Sequence, residues 1–172
     1  MADAAKAVLL LWLAVLLQAT LLSGLGLVSP DLVLVTVVVV ALMRGAEFGA
    51  IAGFAAGLLL DVATLSPLLG VSSLLLATTG YWIGRYGETT GRDRSHAPYL
   101  SVAVATVLVS FATLSLYFVL QQPVSAQRVL FHGLPGRLLL DVLLTAPLFR
   151  IARRLLRRQG MLERTAEVRL LG

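Results

Sequence analysis

Residues 45–61 read GAEFGAIAGFAAGLLLD, and this stretch decides the fold. Its glycines recur at every fourth position: Gly45, Gly49, Gly53 and Gly57. Positions four apart lie on one face of an α-helix, so one face of this helix is bare backbone. In lipid, a face of small residues lets a second helix approach closely, and van der Waals contact then holds the pair. The stretch therefore predicts a helix that packs tightly inside a membrane.

Long runs without a charged residue surround this helix. No Asp, Glu, Lys or Arg occurs at 7–30, 62–83 or 96–127. A helix needs ~20 apolar residues to cross the hydrocarbon core of a bilayer, and each run is long enough. The composition agrees, because 58% of the 172 residues are hydrophobic and only 13% are charged. The sequence predicts an all-α fold, a polytopic transmembrane helical bundle.

We place about six membrane spans in residues 1–158 and a short cytoplasmic tail at 159–172. The spans cover about 7–28, 31–43, 47–63, 66–84, 97–121 and 135–150. Spans two and three are short, so a bent hairpin that does not fully cross is the alternative. Six crossings satisfy the positive-inside rule, because they put Lys6, Arg44, Arg85 and the arginine-rich tail on the cytoplasmic side. Both termini are then predicted to be cytoplasmic.

Five arginines at helical spacing accompany the end of the last span: Arg150, Arg153, Arg154, Arg157 and Arg158. A helix that continues along an anionic inner leaflet suits this pattern and makes anionic lipids expected partners. The alternative is that the arginines only anchor and orient the last span. The net charge of +5 is explained by topology. No basic patch with interleaved aromatic residues appears, so nucleic acid is not an expected partner.

Span four carries a second face of small residues. These recur at spacings of three and four: Gly70, Ser73, Ala77, Gly80 and Gly84. We expect spans three and four to pack on each other or on one shared partner. The alternative is that one of the two faces points outward and docks a helix of another protein.

Five polar or ionisable side chains lie within the spans or at their ends: Gln18, Asp31, Asp61, Arg137 and Asp141. Gln18 should face the bundle, because an unsatisfied amide in hydrocarbon is costly. Asp31 precedes span two and is expected to cap it. Arg137 and Asp141 are one helical turn apart and are expected to neutralise each other. Ionisable residues at such depth are also candidates for a functional site.

No enzyme motif occurs in the sequence. His96 and His132 are predicted to lie on opposite sides of the membrane, where they cannot share a metal ion or a proton. The chain has no cysteine, so it has no thiol nucleophile or thiolate metal site. It also lacks a glycine-rich phosphate loop with lysine, a G-x-S-x-G elbow and an H-E-x-x-H pair. We expect no catalytic residue, no metal site and no cofactor.

Several short motifs resemble the MreD family of rod-shape-determining proteins. They are Gln18-Ala19-Thr20, Pro30-Asp31-Leu32, the stretch 53–61, and Leu69-Gly70 followed by Tyr81. The resemblance covers roughly residues 7–158, and its specificity lies in the order and spacing of the motifs.

The resemblance implies a non-enzymatic membrane scaffold of the bacterial cell-elongation complex, in the inner membrane. Members of this family partner the bitopic protein MreC. Through MreC they connect the MreB filament with the transpeptidase and glycosyltransferase that build the lateral wall. The family motif includes Asp61 and the glycine face, which we assign to folding or partner docking.

The family's fold is similar to the substrate-binding subunits of energy-coupling-factor vitamin transporters. The alternative function is therefore a substrate-binding subunit for uptake of a small molecule. Asp61, Tyr81 and Thr113 are its candidate contacts.

Overall fold

The computed structural model describes residues 2–22, 30–66, 68–90, 96–120 and 133–156, and these ranges contain helices and no strand. We number the six helices in chain order: α1 (Ala2–Leu17, continued by a π-helical turn at Gln18–Leu22), α2 (Leu32–Arg44), α3 (Ala46–Ala63), α4 (Val71–Thr90), α5 (Ala97–Val119) and α6 (Leu134–Leu156). The all-helical fold predicted from the sequence is confirmed.

The central element of the bundle is α2. Every residue from Val33 to Leu42 is buried, as expected for a helix that is hydrophobic on all sides. The other five helices all contact α2 and form a closed ring around it. In this ring α1 contacts α3, α3 contacts α4, α4 contacts α5, α5 contacts α6, and α6 contacts α1. The core of the protein is therefore a helix and not a space between helices.

Two helices, α2 and α3, occupy the region for which the alternative is a bent hairpin that does not fully cross, and both assignments stay predictions. The two helices meet at Gly45, whose φ of +95° favours a residue without a side chain. A β-carbon on Gly45 would also collide with the Glu88 carboxylate, which accepts a hydrogen bond from the Ala46 backbone N–H at 2.9 Å. Since α2 has 13 residues, its length is about 20 Å, which is shorter than a ~30 Å hydrocarbon core.

Three helices differ from their predicted spans by five or six residues at one end or both. The first helix, α1, begins at Ala2 where the span was placed at 7–28, and α6 ends at Leu156 where the span was placed at 135–150. The largest difference is in α4. The span was placed at 66–84, whereas α4 covers Val71–Thr90. The predicted span stops before Arg85, but Arg85 and Glu88 lie within the last turns of α4, exposed and paired at 3.8 Å. Charges three residues apart stabilise a helix when they lie on its exposed face, so the helix continues past its apolar part.

A Schellman turn ends α3. The Leu65 N–H donates to the Val62 carbonyl at 3.3 Å, and the Ser66 N–H donates to the Asp61 carbonyl at 2.9 Å. This geometry requires a left-handed residue, and Leu65 occupies the position with φ of +50°. Its side chain is 87% exposed.

Two of the described helices, α3 and α5, are long and apolar enough to cross a membrane, judged by length and composition. Shorter apolar segments are found at Ala5–Thr20 and Leu32–Arg44. The six-span topology with cytoplasmic termini stays a prediction. Arg157, Arg158 and the predicted tail at 159–172 lie outside the described residues.

Candidate functional site: polar contacts that join the helices

A buried polar cluster lies where α2 begins. It consists of Asp31, Arg137 and Asp141, with Thr106 and Gln18 at its edges. Asp31 is 7% exposed and Asp141 is fully buried, whereas the Arg137 side chain is 32% exposed. Buried charges are retained in proteins only when they are paired or hydrogen-bonded, so each contact in the cluster matters.

Asp31 caps α2, as its place before an apolar run predicts. Its Oδ1 accepts a hydrogen bond from the Leu34 N–H at 3.0 Å. Its Oδ2 accepts a hydrogen bond from Nη2 of Arg137, a residue on α6. The backbone N–H of Asp31 in turn donates to Oδ1 of Asp141 at 2.7 Å. Asp31 therefore caps the start of α2 and ties it to α6.

Arg137 forms the predicted ion pair with Asp141 and has a second carboxylate partner, Asp31. Its Nε lies 3.9 Å from Oδ2 of Asp141, within ion-pair distance but too long for a hydrogen bond, and its hydrogen bond goes to Asp31. The two Asp141 oxygens are instead taken by the Asp31 N–H and by the Thr106 hydroxyl at 2.9 Å. Nε of Arg137 is buried without a hydrogen-bond partner among the described residues. The cluster thus holds two carboxylates and one guanidinium.

Gln18 faces the bundle, as the cost of an unpaired amide in hydrocarbon predicts. Its Oε1 accepts a hydrogen bond from the Val33 N–H at 2.9 Å. Four of the six helices are therefore joined by the polar cluster: α1 through Gln18, α2 through Asp31, α5 through Thr106 and α6 through Arg137 and Asp141.

Asp61 has a separate role in the connection between α3 and α4. It is 1% exposed, and its Oδ2 accepts a hydrogen bond from the Gly70 N–H at 2.8 Å. Gly70 was expected on the packing face of span four. It lies instead in the turn before α4, with φ of +96° and open space around its α-carbon. The left-handed backbone there explains the glycine better than close packing does.

The predicted glycine faces of α3 and α4 pack directly against each other, and the two helices run antiparallel. The contacts step along both helices: Gly45 against Gly84, Gly49 against Gly80, Gly53 against Leu76, and Gly57 against Ser73. A β-carbon on Gly57 would lie 2.5 Å from the Ser73 α-carbon. The glycine groove is therefore filled by α4, and a helix of another protein cannot enter it in this conformation.

Two residues of α4 have contacts that the sequence analysis did not predict. A β-carbon on Gly87 would lie 2.8 Å from the Leu42 carbonyl oxygen, so Gly87 allows α4 to approach α2. Its spacing of three from Gly84 was a usable signal. Glu88 accepts the Ala46 N–H at the start of α3, 42 residues away in sequence. No local pattern indicates that contact.

The basic residues at the end of α6 lie on its surface. Arg150, Arg153 and Arg154 are exposed. Their contact with anionic lipid stays a prediction. In the part of the chain that the structure covers, no group of three or more His, Cys, Asp or Glu side chains is placed to hold a metal ion.

The described residues form an all-helical bundle whose helices are joined by buried charged and polar contacts, and two of these helices could span a membrane. The family model of the rod shape-determining protein MreD matches residues 5–159, so the chain belongs to the MreD family of membrane proteins of the cell-shape system. This is a structural family and not a known enzyme family. No curated protein and no solved structure matches the chain.

Proposed function

We propose that this protein is a non-enzymatic scaffold of the rod-shape system that docks the transmembrane helix of an MreC-like bitopic protein. Membership of the MreD family supports a role in rod-shape determination. The observation that carries the scaffold role is the filled centre of the bundle, where residues 33–42 of α2 are all buried. Because α2 fills the centre of the ring, the outer faces of the helices are the surface left for a partner.

The face of α5 that points away from the bundle is our candidate docking surface. Its exposed apolar residues follow each other at spacings of three, four and seven: Leu100, Val104, Leu108, Phe111 and Phe118. They form one straight stripe along a helix of 23 residues. A stripe of this length matches a single helix that crosses the bilayer beside α5.

The opposite face of α5 is buried in the bundle, so the stripe points outward. Thr106 and Ser110 are buried, and the Thr106 hydroxyl donates to Asp141. Ser115 lies on the outward side, and its hydroxyl donates to the carbonyl of Phe111 in its own helix at 2.9 Å. The Ser115 side chain is small and its hydroxyl already has an acceptor. A neighbouring helix can therefore approach α5 between Phe111 and Phe118.

The test is co-purification of the MreC-like partner with variants of α5. Replacing Leu100 and Leu108, each 62% exposed, by alanine removes apolar contact area without changing the buried face. We expect the amount of partner recovered to fall several-fold while membrane insertion is unchanged. The matched control replaces Leu139 and Leu143 of α6, 74% and 70% exposed, by alanine. Full recovery with the α5 variant, or equal loss with the control, contradicts the docking surface.

The wider role includes an indirect link to MreB and to the transpeptidase and glycosyltransferase of the lateral wall, at the bacterial inner membrane. Depletion in a rod-shaped host tests it. We expect the cells to become round, and complementation by the α5 variant to be weaker than by the α6 control. Retention of rod shape after depletion contradicts the role.

A substrate-binding subunit for small-molecule uptake has less support. Asp61 is bonded to Gly70, whereas Tyr81 follows Gly80, which packs on Gly49. Gly49 and Asp61 are twelve residues apart on α3, which is ~18 Å along the helix axis, so the two candidate contacts do not converge. The expected similarity to energy-coupling-factor subunits stays a prediction, since no solved structure matches the chain.

A further inference from the structure

Two grooves on the outside of the bundle meet at Phe48. The first, which we call the polar groove, has a volume of about 290 Å³ and is lined by Arg44, Glu47, Phe48, Tyr81, Arg85 and Glu88. The second, which we call the apolar groove, has a volume of about 120 Å³ and runs between α1 and α3. Trp12, Ile51, Ala55 and Leu59 are among its walls. Neither groove belongs to the cluster at Asp31 or to the outward face of α5.

Arg44 of the polar groove has buried nitrogen atoms without a hydrogen-bond partner among the described residues. These atoms are Nε and Nη2. The guanidinium lies 5.1 Å from the centre of the Phe48 ring, which holds it by a cation–π contact. Buried donors are normally satisfied, so an unpaired guanidinium in a groove indicates a ligand that accepts hydrogen bonds.

The other charges of the polar groove leave Arg44 available. Glu88 accepts the Ala46 N–H and is 3.8 Å from Nη1 of Arg85, so these two residues offset each other. Glu47 is exposed, and no ion pair joins it to Arg44 in the described part of the chain. An anion in the polar groove is attracted by the guanidinium of Arg44 and repelled by the carboxylate of Glu47.

Exposed aromatic residues place the polar groove at the level of the lipid headgroups. Tyr81 and Trp82 are 44% and 65% exposed, and their rings contact edge to face at 5.9 Å. Tyrosine and tryptophan are enriched at the membrane–water interface. The predicted topology puts this end of α2 and α4 on the cytoplasmic side, where the leaflet is rich in anionic lipid.

We infer that the two grooves together bind one anionic phospholipid, with its phosphate on Arg44 and an acyl chain in the apolar groove. Arginine is well suited to phosphate because its planar fork donates two hydrogen bonds at once. Phe48 lines both grooves, so the two lie side by side, as the headgroup and an acyl chain of one molecule require. A free phosphate ion uses only the polar groove.

Quenching of Trp12 fluorescence tests the inference, because Trp12 lines the apolar groove. The full chain carries Trp82→Phe, which leaves Trp12 as its only tryptophan. It is purified in detergent and titrated with phosphatidylglycerol that is brominated on its acyl chains. We expect saturable quenching, and weaker binding of the zwitterionic brominated phosphatidylcholine.

Variants that remove one positive or one negative charge make the test specific. Arg44→Gln should weaken binding about fivefold, the effect of one basic side chain near a lipid phosphate. Glu47→Gln, at an exposed position, should strengthen it. Arg153→Gln removes the same charge outside both grooves and should leave binding unchanged. This matched variant separates site binding from general attraction.

Three outcomes overturn the inference. The first is quenching that is insensitive to both Arg44→Gln and Glu47→Gln. The second is equal weakening by Arg153→Gln. The third is displacement of the brominated lipid by inorganic phosphate at the concentration at which unlabelled phosphatidylglycerol displaces it, which identifies a free-phosphate site. None of these outcomes bears on partner docking at α5, which co-purification measures separately.

Discussion

The guanidinium of Arg137 donates a hydrogen bond to the carboxylate of Asp31, although 106 residues separate them in sequence. This contact joins the start of α2 to α6 and places Asp31 beside Asp141, which accepts its backbone N–H. The central helix is therefore held at one end by charge and along its length by apolar packing. Loss of the charge pair should loosen the bundle without changing its helices.

Replacing Arg137 by methionine should destabilise the protein. Breaking a fully buried ion pair costs ~3–5 kcal/mol, and the loss here should be smaller, about 1–3 kcal/mol, since the Arg137 side chain is 32% exposed. Thermal unfolding in detergent measures the change. Adding Asp31→Asn should recover part of the loss, because it removes an unpaired carboxylate while keeping an acceptor for the Leu34 N–H. An Arg137→Met protein as stable as the parent contradicts the role of the cluster.

Replacing Gly57 by alanine should force α3 and α4 apart. The added β-carbon would meet the backbone of Ser73 at 2.5 Å, and overpacking of this kind costs about 1–3 kcal/mol. Ala63→Leu adds more volume at an exposed position of the same helix and should have little effect. Both variants can be compared by thermal unfolding. Equal melting temperatures of the two variants show that the close contact at Gly57 does not stabilise the bundle.

Replacing Leu65 by glycine should stabilise the end of α3. A left-handed conformation costs an L-residue roughly 1–2 kcal/mol that glycine does not lose, and the Leu65 side chain is 87% exposed, so little packing is sacrificed. We expect a higher melting temperature in detergent. The matched control is Leu69→Gly, also exposed but without a positive φ, which should not stabilise. A lower melting temperature for Leu65→Gly contradicts the prediction and shows that the greater entropy of the unfolded chain with glycine outweighs the relief at φ of +50°.

Cysteine labelling tests the predicted six-span topology. The chain has no native cysteine, so each single variant reports one position. Leu120→Cys should react with a membrane-impermeant thiol reagent in intact cells. Thr89→Cys and Ile151→Cys should react only after the cells are made permeable, because both are predicted to be cytoplasmic. All three positions are exposed. Labelling of positions 89 and 151 from opposite sides shows an odd number of crossings between them and rules out the topology.

Much of the fold was predictable because the relevant signals are local. The four-residue glycine repeat of α3 and the small residues of α4 predicted close packing of two helices. The bounds of α4 were less well predicted, because Arg85 and Glu88 look like the end of a span in sequence, yet pair with each other on the helix surface. Gly70 was misassigned, because sequence spacing does not show the sign of φ.

The sequence alone determined that the protein is helical and suited to lipid, since both properties follow from apolar content and residue spacing within each segment. Only the tertiary structure decided three features. The helix α2 is the centre of the ring, and Arg137 donates its hydrogen bond to Asp31 while forming an ion pair with Asp141. Two buried nitrogens of Arg44 have no hydrogen-bond partner among the described residues. These features depend on which distant segments meet. A side chain's partner across helices is set by the packing of whole helices, and local spacing carries no information about it.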